Sequence, residues 1–310
     1  MDLRQIRYFV AVADARSFTR AAGQLHIAQP PLSRQIQLLE GELGVQLIHR
    51  DSRPLQMTEA GRVFYEQALQ VLHRAEQMKA ATIQVGRGQR QRVSIGFVAS
   101  TLYGEVPVLT RKLRHGYPDI DFQLVELTTM QQIDALKTGR IDIGFGRIRS
   151  QDRSVSRKVL REERLVLAIP PDHVLARVAG PVGLDAIQAQ QLVVYPKEPR
   201  PSFADQVLSL LHDSGIRPAQ THEVRELQTA LGVVAAEVGV CVIPAAASIR
   251  NDLVYRLIQD QRATSPVILS HRANDTSWYI QAIPQLIDEL YAESPSWLDP
   301  AHNLIGSKVP

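Results

Sequence analysis

A single cysteine, Cys241, stands in 310 residues, and it lies inside the apolar run Val240-Cys241-Val242-Ile243. One thiol excludes an internal disulfide, and the apolar setting favours an unreactive side chain over a redox switch. No stretch of eighteen consecutive apolar residues occurs, and Asp2, Arg4, Arg7 and Asp14 interrupt any signal-like core at the N-terminus. A soluble, cytoplasmic protein with no membrane partner is the expectation. The nine histidines are scattered, with no HExxH and no Cys/His cluster at ligand spacing, so no metal is expected. Neither a Ser/His/Asp arrangement nor a phosphate-binding loop is present, which argues against an enzyme and leaves no cofactor to expect.

What the chain does have is length and apolar content, 310 residues at 45% hydrophobic, enough for two or three domains. Its charge is uneven. Residues 1–90 hold 12 Lys and Arg against 8 Asp and Glu, and the remainder holds 23 against 24. A basic head on a neutral body fits a nucleic-acid partner, but a surplus this small needs a structural pattern behind it.

The pattern is in the first ninety residues. Leu3, Ile6, Phe9, Val10 and Ala13 form the stripe of a helix that starts near Asp2, and Ser17 caps a second helix with Phe18, Ala21, Ala22 and Leu25 inward. After the turn His26-Ile27-Ala28, a third helix opens on Gln29-Pro30-Pro31, since proline is tolerated where first-turn amides have no helical partner. Leu32, Ile36, Leu39 and Leu43 make its buried stripe, which leaves Gln29, Pro30, Ser33, Arg34 and Gln37 outward. A recognition helix needs such a face: Arg reads guanine, Gln reads adenine. An isolated helix with this face reads equally well as a solvated surface, and the capped helix, short turn and Pro-started helix together favour DNA. Val45–Arg50 and Leu55–Met57 then predict two wing strands around Asp51-Ser52-Arg53-Pro54, with Arg50 and Arg53 near phosphate or minor groove. A long helix follows from Thr58 to about Val85, stopped by Gly86-Arg87-Gly88. Its stripe Val63, Leu69, Leu72, Ala75, Met78 and Ile83 is most naturally buried by a partner helix.

From Val93 on, buried strands alternate with amphipathic helices: 93–98, 122–127, 141–145, 165–169, 192–195, 240–243 and 267–269. The junctions Ala99-Ser100-Thr101, Thr128-Thr129 and Pro201-Ser202-Phe203 each put a hydroxyl at a helix N-terminus. Several such ends converging on one cleft would hold carboxylates, while any one alone reads as a cap of its own helix. Arg147 is either a further charged donor to a dicarboxylate or an ion-pair partner of Glu226.

The runs Arg7-Tyr8-Phe9-Val10, Ser17–Ala22, Ile27–Ile36, Leu38-Leu39-Glu40 to Gly44 and Arg53 to Gly61 resemble the LysR-type transcriptional regulators. The resemblance implies an all-α winged helix-turn-helix N-terminal domain (1–58), a linker and dimerisation helix with hinge (59–90), and an α/β two-lobed effector domain like periplasmic binding proteins (91–310). Lobe one is expected at 91–162 and 267–310, lobe two at 163–266. It implies DNA contacts by Gln29, Pro30, Pro31, Ser33, Arg34 and Arg53, a dimer of dimers on double-stranded promoter DNA, and an RNA polymerase partner. In the body, Gly139–Arg147, Tyr195-Pro196, Arg200–Asp205 and Glu226–Gly232 are similar to the muconate-responsive subgroup that controls catechol and benzoate degradation, over nearly the whole chain short of the tail after about Trp297. That similarity implies an activator induced by cis,cis-muconate, with Ser100, Thr101, Thr129, Pro201, Ser202 and Phe203 at the site. It also implies a second, benzoate-type site at Arg161, Glu163 and Tyr291. Ala99 and Thr101 depart from the Gly and Leu frequent in near relatives, which keeps a chloromuconate or another small carboxylate open as the inducer. A solute-binding protein is the rival from a different class, and no secretion signal supports it.

Overall fold

In the computed structural model, which describes residues 1–50, 52–86, 90–299 and 301–305, Asp2 sets the start of α1 (Leu3–Ala15). Its carboxylate accepts from the Gln5 amide at 2.8 Å while the Gln5 side chain accepts from the Asp2 amide at 3.0 Å, a reciprocal cap. Ser17 caps α2 (Phe18–Gln24), and Pro30 and Pro31 sit in the first turn of α3 (Gln29–Leu43). That helix ends at Gly44, whose φ of 71° suits a residue without Cβ. Phe9, Val12, Ala21, Ala22, Leu32, Ile36 and Leu39 close one core, each large side chain contributing about 1.5–3 kcal/mol of burial.

Two expectations for this region are corrected. Leu43 is 38% exposed, and the buried position is taken by Glu40, whose carboxylate accepts from the amides of Leu47 and Ile48 at 2.9 and 3.3 Å. A carboxylate there satisfies backbone donors that an apolar side chain would leave unpaired. The wing strands are short, β1 (Ile48–His49) against β2 (Gln56–Met57), because the chain from Val45 to Leu47 runs without ladder pairing; Asp51 lies outside the described residues. Helix α4 runs over Glu59–Gly86, and the Arg87-Gly88 part of its expected stop lies outside the described residues.

The chain divides into two units, Met1–Gln91 with Lys137–Gly139, and Arg92–Leu136 with Arg140–Pro310. The second is built on β3 (Gln91–Phe97), β4 (Ile120–Glu126), β5 (Ile143–Gly146), β6 (Val155–Ile169), β7 (Gln191–Val194), β8 (Gln220–Glu223), β9 (Val240–Pro244), β10 (Val254–Leu257), β11 (Thr264–Arg272) and β12 (Asn303–Ile305). Their order is β4-β3-β5-β11-β6-β9-β7-β8, with β10 and β12 also on β6. Helices α5 (Glu105–Gly116), α6 (Thr129–Lys137), α7 (Phe203–Asp213), α8 (Leu227–Ala235) and α9 (Tyr279–Ala292) connect or cover them.

Two hydrophobic cores share this sheet. One gathers Val93, Ile95, Leu109, Phe145, Val267 and Ile283, the other Leu165, Ile169, Leu192, Ala204, Leu231 and Val242. Strand β6 supplies side chains to both, Leu160 to the first and Leu165 to Ile169 to the second. Strand β6 begins ten residues before the run expected at 165–169, since Ser156–Glu163 is too charged to read as a buried strand. Arg161, Glu162 and Glu163 are nevertheless buried within it, which requires that their charges be paired. Strands β8, β10 and β12 were not expected from the sequence either, being only three or four residues long, with β8 mostly exposed and β10 half-exposed.

Candidate functional site

The exposed surface of the first unit follows from the register of α3. With Leu32, Ile36 and Leu39 inward, Gln29, Pro30, Pro31, Arg34 and Gln37 are exposed and Ser33 is half-buried. Ala28 provides no side-chain cap, and because Pro30 and Pro31 carry no N–H, Gln29 alone presents a first-turn amide beside this polar face. Arg53 is exposed in the turn between the wing strands. Arg50 is committed internally: it pairs with Glu40 at 2.6 Å and lies over the Phe18 ring at 5.8 Å, which corrects its expected phosphate role. On α4, Val63, Val71, Met78 and Ile83 are exposed apolar side chains.

In the second unit a cleft of about 240 Å³ opens where parallel strands end. Val98 follows β3, Arg147 follows β5 and Tyr195 follows β7, and all three line it, as expected for the carboxyl ends of an α/β sheet. The starts of three helices meet there: Thr128-Thr129 at α6, Ser202-Phe203 at α7 and Glu226-Leu227 at α8. Each start carries amides without helical partners and a partial positive charge, so the cleft favours anions although its charged lining, Arg147 and Arg225 against Glu126 and Glu226, is balanced.

Arg147 organises this wall. Its Nε donates to Ser100 Oγ at 2.6 Å, its amide donates to Thr129 Oγ1 at 3.0 Å, and its Nη2 reaches Glu163 at 2.6 Å. The ion pair expected with Glu226 is thus made with Glu163. Ser100, accepting from Arg147, keeps its own hydrogen to donate. At α7 the Ser202 hydroxyl donates to the Pro196 carbonyl at 2.9 Å, which leaves the first-turn amides as the donors at that corner. Of the residues that line the cleft, Arg147 and Tyr195 each hold a buried donor, Nη1 and the hydroxyl, with no partner among the described residues. An unsatisfied buried donor costs about 1–3 kcal/mol, so this wall carries a cost that the chain itself does not relieve.

Of the residues expected here, Ser100, Thr129, Arg147, Pro201, Ser202 and Phe203 line the cleft. Thr101 does not: it is fully buried in the turn Ala99–Tyr103, and its hydroxyl donates to the Val98 carbonyl at 2.8 Å. Tyr195, Arg225 and Glu226 were missed, though the strand-to-helix rule that found Thr128-Thr129 applies equally to Glu226-Leu227.

Beside the cleft, Arg161, Glu163 and Tyr291 are brought together. Arg161 is fully buried, with Glu163 at 3.2 Å and Glu105 at 3.1 Å, and the Tyr291 hydroxyl donates to Glu105 at 3.2 Å. Glu105 was not anticipated. Burial alone would raise the Glu163 carboxyl, but Arg147, Arg161 and the Ala246 amide more than offset it and hold its pKa below the ordinary value of 4.5. Burial pushes the Tyr195 phenol and the Cys241 thiol up, so both stay neutral.

A polar-faced third helix with a wing, joined to a sheet with an anion-favouring cleft, defines a ligand-reading DNA-binding protein. Residues 3–62 match the bacterial regulatory helix-turn-helix protein, lysR family, and residues 86–291 match the LysR substrate binding domain. The chain belongs to the LysR family of transcriptional regulators, which bind DNA and are not enzymes. It is similar to the probable cat1 operon transcriptional activator of Acinetobacter lwoffii, 62% identical over 98% of this chain and 100% of the relative. It is also similar to the HTH-type transcriptional regulator BenM of Acinetobacter baylyi, 40% identical over 96% of this chain and all of the relative. A solved structure, the BenM effector binding domain with its effector benzoate, matches with a TM-score of 0.63 at 34% identity, covering 66% of this chain and 94% of that one.

Proposed function

We propose that this regulator activates genes of catechol and benzoate degradation when cis,cis-muconate occupies the cleft. The observation that carries the reading is the meeting of three helix starts with Arg147 in the wall of one cavity of about 240 Å³. An extended dicarboxylate places one anionic end among the amides of α7 and α8 and the other by Ser100, Thr129 and Arg147, with its carbon chain on the apolar wall. The likeness to a cat1 operon activator and to a regulator solved with a small carboxylate supports the ligand class.

The protein acts in the cytoplasm without a cofactor. Helices α4 of two copies pair through Val63, Val71, Met78 and Ile83, two such dimers sit on promoter DNA through Gln29, Pro30, Pro31, Ser33, Arg34 and Arg53, and RNA polymerase responds. Ligand control requires muconate to bind one arrangement of this assembly more tightly than the other. Calorimetric titration of the full chain with cis,cis-muconate tests the inducer: saturable heat and a raised thermal midpoint are expected. No heat at millimolar muconate, with heat from a chloromuconate, would move the assignment to that ligand.

A further inference from the structure

The cluster around Arg161 has the build of a carboxylate-binding site, and the carboxylate in it belongs to the chain. Glu105, the first residue of α5, is fully buried and has both oxygens held: Oε2 faces Arg161 Nη2 at 3.1 Å and Oε1 accepts from the Tyr291 hydroxyl at 3.2 Å. A guanidinium on one oxygen and a phenol on the other is how a protein grips a free carboxylate.

The rest of the cluster closes over this pair. Trp297 covers the guanidinium with its ring 5.5 Å away, and the Asn303 side chain accepts from Arg161 Nη1. Asn303 is fixed in turn, donating to the carbonyls of Asp299 at 3.0 Å and Trp297 at 3.4 Å, with β12 paired to β6 so that Asn303 faces Glu163. Gly104 makes the approach possible: a Cβ there would lie 3.1 Å from Arg161 Nη2 and 3.7 Å from Trp297.

We propose that Glu105 is a tethered ligand that keeps this site permanently filled. Lobe one therefore takes no free carboxylate at Arg161, Glu163 and Tyr291 in the native chain, and becomes a site for a small monocarboxylate once the Glu105 carboxylate is removed. This replaces the expectation of a second effector there, and it stands whatever ligand the cleft takes.

The test is chemical rescue in the full chain, with sodium benzoate as probe against equal sodium chloride. Thermal midpoints and benzoate affinities are measured for the native protein, Glu105→Ala, the isosteric Glu105→Gln, and the double variant Glu105→Ala/Arg161→Met, in which the cleft is retained. Expected are a lowered midpoint in both single variants, recovery by benzoate in Glu105→Ala, and affinity there at least tenfold above the native protein and the double variant. Should Glu105→Ala fail to fold, Glu105→Gln and the native protein still decide. A native response larger than that of the double variant would mean that a free site coexists with Glu105, and would overturn the proposal. A Glu105→Ala protein that loses stability without rescue by benzoate, or single variants that keep native stability, would overturn it equally.

Discussion

Arg147 and Arg161 lie two strands apart, share Glu163 as a partner, and are both buried, yet one faces a cleft and the other is sealed. Each keeps one buried donor without a partner among the described residues, Nη1 of Arg147 and Nε of Arg161, so an orphan donor alone does not mark a binding site. The difference is the surroundings: around Arg161 the chain itself supplies the carboxylate of Glu105 and the amide oxygen of Asn303, while Arg147 has Ser100 and stands in the wall of the cleft. Arg34, exposed on α3, is a third setting.

Breaking the sealed arginine has the largest expected effect. Arg161→Met leaves Glu105 and Glu163 facing each other in a dry site, and a stability loss of about 3–5 kcal/mol is expected in urea denaturation, with DNA-contact residues untouched. Arg147→Lys keeps a charge against Glu163 but removes the fork that joins Ser100 to Glu163 in the cleft wall. Ligand affinity should fall by about 1.5–3 kcal/mol in calorimetry with little change in urea midpoint. An equal loss of stability in both variants would erase the contrast between them.

At the exposed setting, Arg34→Ala should leave stability unchanged and weaken specific promoter binding by about 1–3 kcal/mol, with relaxed base preference in a competition assay. The smallest effect near neutral pH comes from titration. Glu163 has a folded pKa below its ordinary 4.5, so its stabilising contribution is complete above that value and is lost as pH falls through the folded pKa. Thermal midpoints measured downward from pH 5 should decline, and Glu163→Gln should flatten that decline.

These contrasts explain what the sequence revealed and what it hid. Helices α1 to α3 were legible because their signals are local: Asp2 with Gln5, Ser17, Pro30-Pro31 and a stripe at helical spacing all agree. Much of the cleft was legible for the same reason, since a hydroxyl at a strand-to-helix turn is a local pattern. Thr101 failed because spacing does not reveal which way a tight turn points its hydroxyl. The Arg161 cluster was only half legible: Glu105 at a helix start reads as a favourable charge for that helix, and Trp297 and Asn303 come from more than a hundred residues away along the chain. Charges from Arg157 to Glu163 concealed a strand because the pairing that permits their burial is visible only in three dimensions.

Strand β6 has a mechanical consequence. It runs unbroken for 15 residues, feeds both cores and is laddered to β11 from Val155 to Arg164. Two cores joined by a continuous hydrogen-bonded ribbon are stiff against opening and compliant mainly in torsion, with the bulge at Val267/Ile268 as the softest point.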